Sequence, residues 1–317
     1  MAKKALQEIV GSCDIMVANM RPGATGRMGL GTETLKTLNP KMIEVHVTAF
    51  GWDGPFAKRP GVDPLAQAWM GLQVAQGGEG NPPSFLSPVA PTDYTGGCLG
   101  ALGAVMALYA REKNGIGQVV NTNLLNAGCL LLAGDFARYE NKVPRRLSDK
   151  HQNGLSDFHR LYQTLDGYIY VSAERSDLAE SFTGLLGLQN SFNKGKEKEH
   201  TELGNQIQDV IKLKESAHWV ELMGLRNIPC SISIENYELS FFQDEQAFQN
   251  NMISKSVLDD GREYAFSHNL IQFPELPIPV IKPTPMLGEH SIEILREFGI
   301  EESLIDSMIE TGSLITS

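Results

Sequence analysis

Residues 87–112 read SPVAPTDYTGGCLGALGAVMALYARE. From Tyr94 the run is small and apolar almost without break, and it closes on Arg111, Glu112, Lys113, Asn114 and Gly115. Basic residues in a last turn followed by glycine are a helix stop, so a helix is predicted over 94–112. Working back along the chain, residues 42–50 (MIEVHVTAF) set Ile43, Val45 and Val47 alternately with Glu44, His46 and Thr48, the period of a strand. Residues 14–18 (DIMVA) have the look of a short buried strand. A helix over 32–38 is stopped by Asn39-Pro40, because proline pushes its predecessor out of the helical region. Residues 3–11 read as the end of a helix, and 64–73 as another. Working forward, 119–132 reads as a strand running into a second buried helix. Strands alternating with helices predict an α/β unit with a largely parallel sheet.

The character changes at 139–150, where ENKVPRRLSDK follows Tyr139, polar and charged with Pro144 inside it; this reads as a linker. In the next unit, Asp166-Gly167 between 161–164 and 168–172 is a hairpin signal. Helical patterns follow at 177–186, 204–212 and 216–225, and 195–199 (GKEKE) is a solvated charge run. The Pro-rich stretch 273–285 cannot be a central strand or a helix, because proline lacks the N–H that either requires. It reads as a long extended connection, followed by a helix pair over 288–317. The expected organisation is therefore a large domain at 1–138, a linker at 139–150 and a small domain at 151–265. Residues 266–317 are expected to return to the large domain.

The chain has 317 residues, with 27 Lys and Arg against 38 Asp and Glu, a net charge of −11. That balance argues against nucleic acid as a partner, because binding it rests on many cations neutralising phosphates. A small phosphorylated ligand needs only two or three local cations and stays open. Cys13, Cys98, Cys129 and Cys230 are scattered, without a C-x-x-C pair, which excludes the usual zinc and disulfide patterns and suits a reducing cytoplasm. The seven histidines form no metal-binding pair. The opening residues lack the apolar core of a signal peptide. The most apolar stretches, 99–110 and 124–134, fall short of the ~20 residues that a membrane span needs.

Three segments could carry chemistry. Residues 19–27 (NMRPGATGR) follow the strand at 14–18, and ligands of open α/β sheets sit beyond strand carboxyl ends. Glycines there let an anion approach the backbone, and Arg21 or Arg27 could fork onto phosphate. The same residues also read as an ordinary loop with solvent-facing arginines. Asp93 stands where the long helix begins, so it reads as an N-cap. It also reads as a carboxylate nucleophile, with Gly96 and Gly97 leaving backbone N–H groups open to a developing oxyanion. The two readings are compatible. Asp63 precedes a second helix and again reads as a cap.

In this order the segments VANMRPGATGRMGLG (17–31), LNPKMIEVHVTAFGWDGPFAKRPGVDPLAQA (38–68) and 87–112 resemble the family III CoA-transferases, which include the related α-methylacyl-CoA racemases. PTPMLGEHSIEILREFGI (283–300) and the weaker stretch 227–253 extend the resemblance over most of the chain. The resemblance implies a Rossmann-like large domain with a mostly parallel sheet, a smaller α+β domain, and an interlocked homodimer. It implies acyl-CoA:carboxylate CoA transfer, with Asp93 passing through a mixed anhydride and an aspartyl-CoA thioester. Asn19, Met20, Ala24 and Arg27 match positions that line the CoA site, with Arg27 the phosphate partner and Arg21 beside it. Asp63 matches an acidic position near the reacting centre, with Gly96 and Gly97 close by. Coenzyme A enters as a substrate, and no metal, nicotinamide or flavin is required.

Racemases carry a histidine immediately before the Asp63 position. Val62 stands there, which disfavours racemisation. Residues 151–158 hold only Gly154 where formyl-CoA transferase has a glycine run, which weakens a formyl or oxalate assignment. Family members also open with a βαβ segment ahead of the position of Lys3. The resemblance thus implies a truncated, split or fused product, with a non-catalytic or partner-dependent CoA-binding fragment as the alternative and a separate chain as a possible source of the segment.

Overall fold

The computed structural model describes residues 2–258, 261–268, 270–277 and 284–316. The chain forms two compact units, Met1–Gln152 with Met286–Ser317, and Asn153–Pro285.

The first unit begins with α1 (Ala2–Gly11), β1 (Ile15–Ala18), α2 (Ala24–Arg27), α3 (Thr32–Leu38) and β2 (Ile43–Thr48). It continues through α4 (Asp63–Met70), α5 (Leu72–Gly77), α6 (Pro91–Asn114), β3 (Val119–Asn123), α7 (Leu124–Leu131) and α8 (Ala133–Phe136). The three strands form a parallel sheet in the order β1-β2-β3, with Val17 opposite Val45 and Val45 opposite Val120. Strand β2 is central, and burial there does not alternate. Glu44, His46 and Thr48 are buried along with Ile43 and Val45. The polar face survives burial because it is partnered, as buried polar groups require. Glu44 Oε2 accepts from Thr32 Oγ1 at 2.9 Å, and His46 Nε2 lies 3.4 Å from that oxygen. The His46 ring packs 4.5 Å from Trp52.

Helix α6 lies on the other face of β2, and its glycines set the distance. A Cβ on Gly103 would stand 2.5 Å from Val120 Cγ1, and one on Gly100 2.9 Å from Val47 Cγ2. Such separations are shorter than any van der Waals contact, so glycine there permits a close helix–sheet approach. The helix predicted over 64–73 is in fact two, because Gly71 adopts φ +83° and ends α4. A left-handed residue satisfies the last carbonyls and redirects the chain.

The second unit contains β4 (Gly154–Ser156), β5 (His159–Gln163), β6 (Tyr168–Ser172), α9 (Ser176–Leu185), α10 (Glu202–Ile211), α11 (Ser216–Gly224) and β7 (Cys230–Ile232). Then come α12 (Tyr237–Ser240), α13 (Glu245–Gln249), β8 (Ile253–Val257) and β9 (Glu263–Ser267). Strands β4-β5-β6-β7 make an antiparallel sheet. Its core gathers Tyr162, Ile169 and Val171 from the sheet and Phe158 from the turn between β4 and β5, with Phe182, Ile207, Ile211, Trp219 and Met223 from α9, α10 and α11. The Asp166-Gly167 turn joins β5 to β6, and Gln163 pairs with Tyr168 across a four-residue loop. Strands β8 and β9 pair as a separate antiparallel hairpin. The chain then adds α14 (Ser291–Glu297) and α15 (Glu302–Glu310) to the first unit. There Leu295, Ile300, Ile305 and Met308 bury Ala5 of α1.

Two boundaries differ from those read in the sequence. Residues 139–150 belong to the first unit, where Glu79 N–H donates to the Ser148 carbonyl at 2.8 Å and Asn81 Nδ2 to the Lys150 carbonyl at 2.9 Å. Polarity marked an exposed strap there; its backbone bonds make it part of the unit. Residues 266–285 fall in the second unit. Of the Pro-rich stretch, residues 278–283 lie outside the described residues. At its start Leu276 N–H donates to the Phe273 carbonyl at 2.9 Å, a turn rather than extended chain.

Candidate active site

The parallel strands β1, β2 and β3 end on one edge of the sheet, and that edge gathers the residues singled out from sequence. Beyond β1 lies the loop 19–23 and beyond β2 the loop 49–62, and β3 ends on Asn123, whose side chain accepts from Asn126 N–H to cap α7. Helix α6 starts over the same edge. Gly96 in its second turn lies against Val47, near the end of β2, and against Leu124, whereas Gly103 lies against Val120 near the start of β3. This is the edge at which open α/β sheets bind ligands.

Asp93 is the third residue of α6, after Pro91 and Thr92; Ala90 occupies the cap position and offers no side-chain acceptor. Asp93 is therefore not the N-cap. Its carboxylate has no hydrogen-bond partner among the described residues, and the residue is exposed. Partial burial of the carboxyl, and then the charge of Asp63, push its pKa above the usual aspartate value. A carboxylate with a raised pKa and no internal bond is a better nucleophile than one satisfied by the fold.

The two glycines after Asp93 separate in role. A Cβ on Gly96 would meet Leu124 Cδ2 at 3.1 Å, so this position serves packing. A Cβ on Gly97 would meet nothing within 4 Å. Gly97 lies one turn beyond Asp93, so the pair shares a helix face and leaves an open floor beside the carboxylate. The oxyanion donors expected from this turn are not free. Thr92 and Asp93 donate their N–H groups to Asp63, and inside a helix the N–H groups of Gly96 and Gly97 serve the i−4 ladder.

Asp63 is the first residue of α4 and is 3% exposed. It does not cap its own helix; it reaches the start of α6. Oδ1 accepts from Thr92 N–H at 2.8 Å, from Thr92 Oγ1 at 2.5 Å and from Asp93 N–H at 3.4 Å. Oδ2 accepts from Gln67 Nε2, one turn along α4. Reading the sequence missed Gln67 and Thr92. The i, i+4 spacing of Asp63 and Gln67 was a usable signal for the first. Thr92 is buried and lies across a 29-residue gap, which no local pattern records.

The loop after β1 carries Asn19, Met20 and Arg21, all exposed, and turns at Gly23 with φ +81°, a conformation that glycine takes without strain. Ala24 and Arg27 open and close α2. Arg27 Nη1 donates to the Gly23 carbonyl at 3.2 Å, and Arg21 Nη1 to the Lys58 carbonyl at 3.4 Å. Both guanidiniums remain solvent-facing and can exchange these carbonyls for a phosphate. The loop after β2 adds an aromatic group. Phe56 packs 4.5 Å from Trp69 of α4, and the Arg59 guanidinium lies 4.1 Å over the Phe56 ring.

No cluster of three or more His, Cys, Asp or Glu side chains suited to a metal occurs among the described residues, and none of their helices is long and apolar enough to cross a membrane.

The family profile described as CoA-transferase family III matches residues 1–291. Human succinyl-CoA:glutarate CoA-transferase is 28% identical, the match covering 98% of this chain and 72% of that protein. Human α-methylacyl-CoA racemase is also 28% identical, over 98% of this chain and 83% of that protein. A crystal structure of a CAIB/BAIF family protein from Brucella suis superposes with a TM-score of 0.77 at 22% identity, covering 93% of this chain and 78% of the other. That likeness is one of fold.

Proposed function

Because the chain belongs to CoA-transferase family III, we propose that it moves CoA from an acyl-CoA donor to a carboxylic acid acceptor through covalent intermediates on Asp93. The observation that carries this reading is the Asp93 carboxylate itself: unpartnered, of raised basicity, at the ligand-binding edge of the sheet, with Gly97 open beside it.

Asp93 attacks the thioester carbonyl, the C–S bond breaks, and CoA leaves as a thiolate, giving a mixed anhydride. The thiolate then attacks the aspartyl carbonyl, releasing the donor acid and forming an aspartyl-CoA thioester. The acceptor carboxylate attacks that thioester and expels the thiolate, which takes the new acyl group and restores the Asp93 carboxylate. No net proton is consumed. Splitting one exchange into such steps is the gain from covalent catalysis. Asn19, Met20 and Ala24 would line the CoA site, with Arg21 and Arg27 meeting its phosphates. A homodimer is the expected assembly.

Incubation with an acyl-CoA and hydroxylamine should convert Asp93 to its hydroxamate, read by mass spectrometry, and Asp93→Ala should abolish transfer. Full transfer by Asp93→Ala would refute the proposal.

The similarity to a racemase supports a second reading, α-proton exchange on a 2-methylacyl-CoA. That reaction needs two proton-carrying groups. Val62, ahead of Asp63, carries none, so solvent deuterium should not enter the α-carbon; its incorporation at turnover rates would favour the racemase.

A further inference from the structure

We propose that Asp63 is a positioning residue, whose buried carboxylate clamps the first turn of α6 and so fixes where the Asp93 carboxylate stands. The proposal rests on the reading of Asp93 as the nucleophile. It concerns how that group is held, 30 residues along the chain from its holder.

The contact list of Asp63 is that of an anchor. The carboxylate is 3% exposed and accepts four bonds, three of them from Thr92 and Asp93 and the fourth from Gln67. A helix start carries unsatisfied N–H groups and partial positive charge. These are commonly met by a side chain of the preceding residue. Here Ala90 offers none, and a carboxylate from another helix takes the place. The backbone N–H of Asp93 is itself one of the bonded groups, so the clamp acts on the nucleophile's own residue. Asp63 is too enclosed to act on substrate directly, because its oxygens are occupied by Thr92, Asp93 and Gln67.

The clamp is also a charge. Helix α6 packs against β2, β3, α4 and α7. The titratable groups on those elements are Glu44 and His46 on β2, Asp63 on α4 and Cys129 on α7; β3 carries none. On α6 itself Tyr94 and Cys98 are closest in sequence to Asp93. Among them, the charge of Asp63 adds to partial burial in raising the pKa of the Asp93 carboxyl. A negative anchor thereby holds the helix start and keeps its field from draining the basicity of the nucleophile.

Asp63→Asn preserves volume and one acceptor oxygen but removes the charge. In carbon-13 aspartate-labelled protein, with the Asp93 signal assigned by its loss in Asp93→Asn, the Asp93 carboxyl should titrate at lower pH in Asp63→Asn than in the parent. Amide exchange at Thr92 and Asp93 should quicken. The single-turnover release of CoA should slow by roughly tenfold or more, with KM for the acyl-CoA unchanged, since small displacements of a reacting group carry costs of that order. A merely structural role would lower stability and leave the Asp93 titration and the rate of the folded fraction alone; that result would overturn the proposal. Should Asp63→Asn fail to fold, Thr92→Val removes one bond to Asp63 with little change of shape. It should then quicken Asp93 amide exchange and slow CoA release, and no change in either would count equally against the clamp. Absence of a hydroxamate at Asp93 in the parent protein would defeat the functional reading instead, while the titration and exchange measurements would still decide whether Asp63 positions Asp93.

Discussion

A carboxyl that is partly removed from water and faces a second carboxylate holds its proton more tightly than one in bulk solvent. Asp93 is in that position, and the consequence for stability has a definite sign. Its pKa is raised in the folded chain, so the folded state favours the protonated form. That preference is fully present below the unfolded value and is lost as pH rises through the folded one. Asp93→Asn should therefore stabilise the protein slightly at pH 7, by no more than about a few tenths of a kcal/mol given solvent screening, read as a small rise in melting temperature. The gain should vanish under acid conditions where the parent carboxyl is protonated; a gain that persists there would contradict the account. Asp166 runs the other way. Its carboxylate accepts from Ser216 N–H and Oγ and from Thr164 Oγ1, and the Ser216 bonds first hold its pKa below the usual value. Its contribution is present above the unfolded pKa and lost as pH falls through the folded one. Asp166→Asn should destabilise the protein at neutral pH, and thermal melts of the two proteins should converge toward low pH. Residues of this kind were only half legible in the sequence. Asp93 stood out by its place before a helix, but the reading as an N-cap failed because the capping carboxylate comes from Asp63, and nothing local in residues 64–90 announces that reach.

At the scale of elements, α6 shows what periodicity can and cannot reveal. Its extent was visible from small apolar residues and a basic stop. That Gly96 belongs to the face packed against Val47 and Leu124 was not, because its place after Asp93 suggested an oxyanion donor instead. A Cβ at Gly103 would fall 2.5 Å from Val120 Cγ1. Gly103→Ala should cost about 1–3 kcal/mol through overpacking, outweighing the ~1 kcal/mol gained in helix propensity. Gly97 has open space around the same construction, so Gly97→Ala should stabilise by up to ~1 kcal/mol. Because its methyl would stand on the face shared with Asp93, the same substitution should reduce CoA transfer. Urea melts and turnover together check the pair; equal melts for the two variants would show that the helix–sheet distance is not set at Gly103. The hairpin of β8 and β9 was not legible. In ISKSV, Lys255 falls on the face of Ile253 and Val257, and in EYAFS only Tyr264 and Phe266 alternate with Glu263, Ala265 and Ser267, so each run is too short or too mixed on one face to stand out. Strand β2 misled in the opposite sense: its alternation was real, but a buried Glu44–His46 pair covered the face that alternation marks as solvent-facing.

For the whole molecule, the division into two units is the main organising fact. Ile305 is 1% exposed in the core of α1, α14 and α15, within the first unit. Ile305→Ala should cost about 2–5 kcal/mol, and hydrogen exchange should record the loss in the first unit while amides of β5 and β6 keep their protection. Equal loss of protection in both units would mean that the chain opens as one. The alternation of strands and helices ahead of residue 138, and the hairpin signal at Asp166-Gly167 after it, were visible. The assignment of 139–150 to the first unit was not, because it depends on bonds that Glu79 N–H and Asn81 Nδ2 donate to the Ser148 and Lys150 carbonyls, and an accepting carbonyl leaves no mark on the composition of the strap.

The core of α1, α14 and α15 has a further implication for biosynthesis. Ala5 is buried in a cluster with Leu295, Ile300, Ile305 and Met308, whose side chains lie some 290 residues or more downstream, after the entire second unit. Leu6 and Val10 of α1 can pack early on Leu30, Leu35 and Met42, but at synthesis speeds of roughly 5–20 residues per second the Ala5 side of the helix waits about 15–60 s for its partners. On the ribosome, then, the second unit can finish folding before the first is complete.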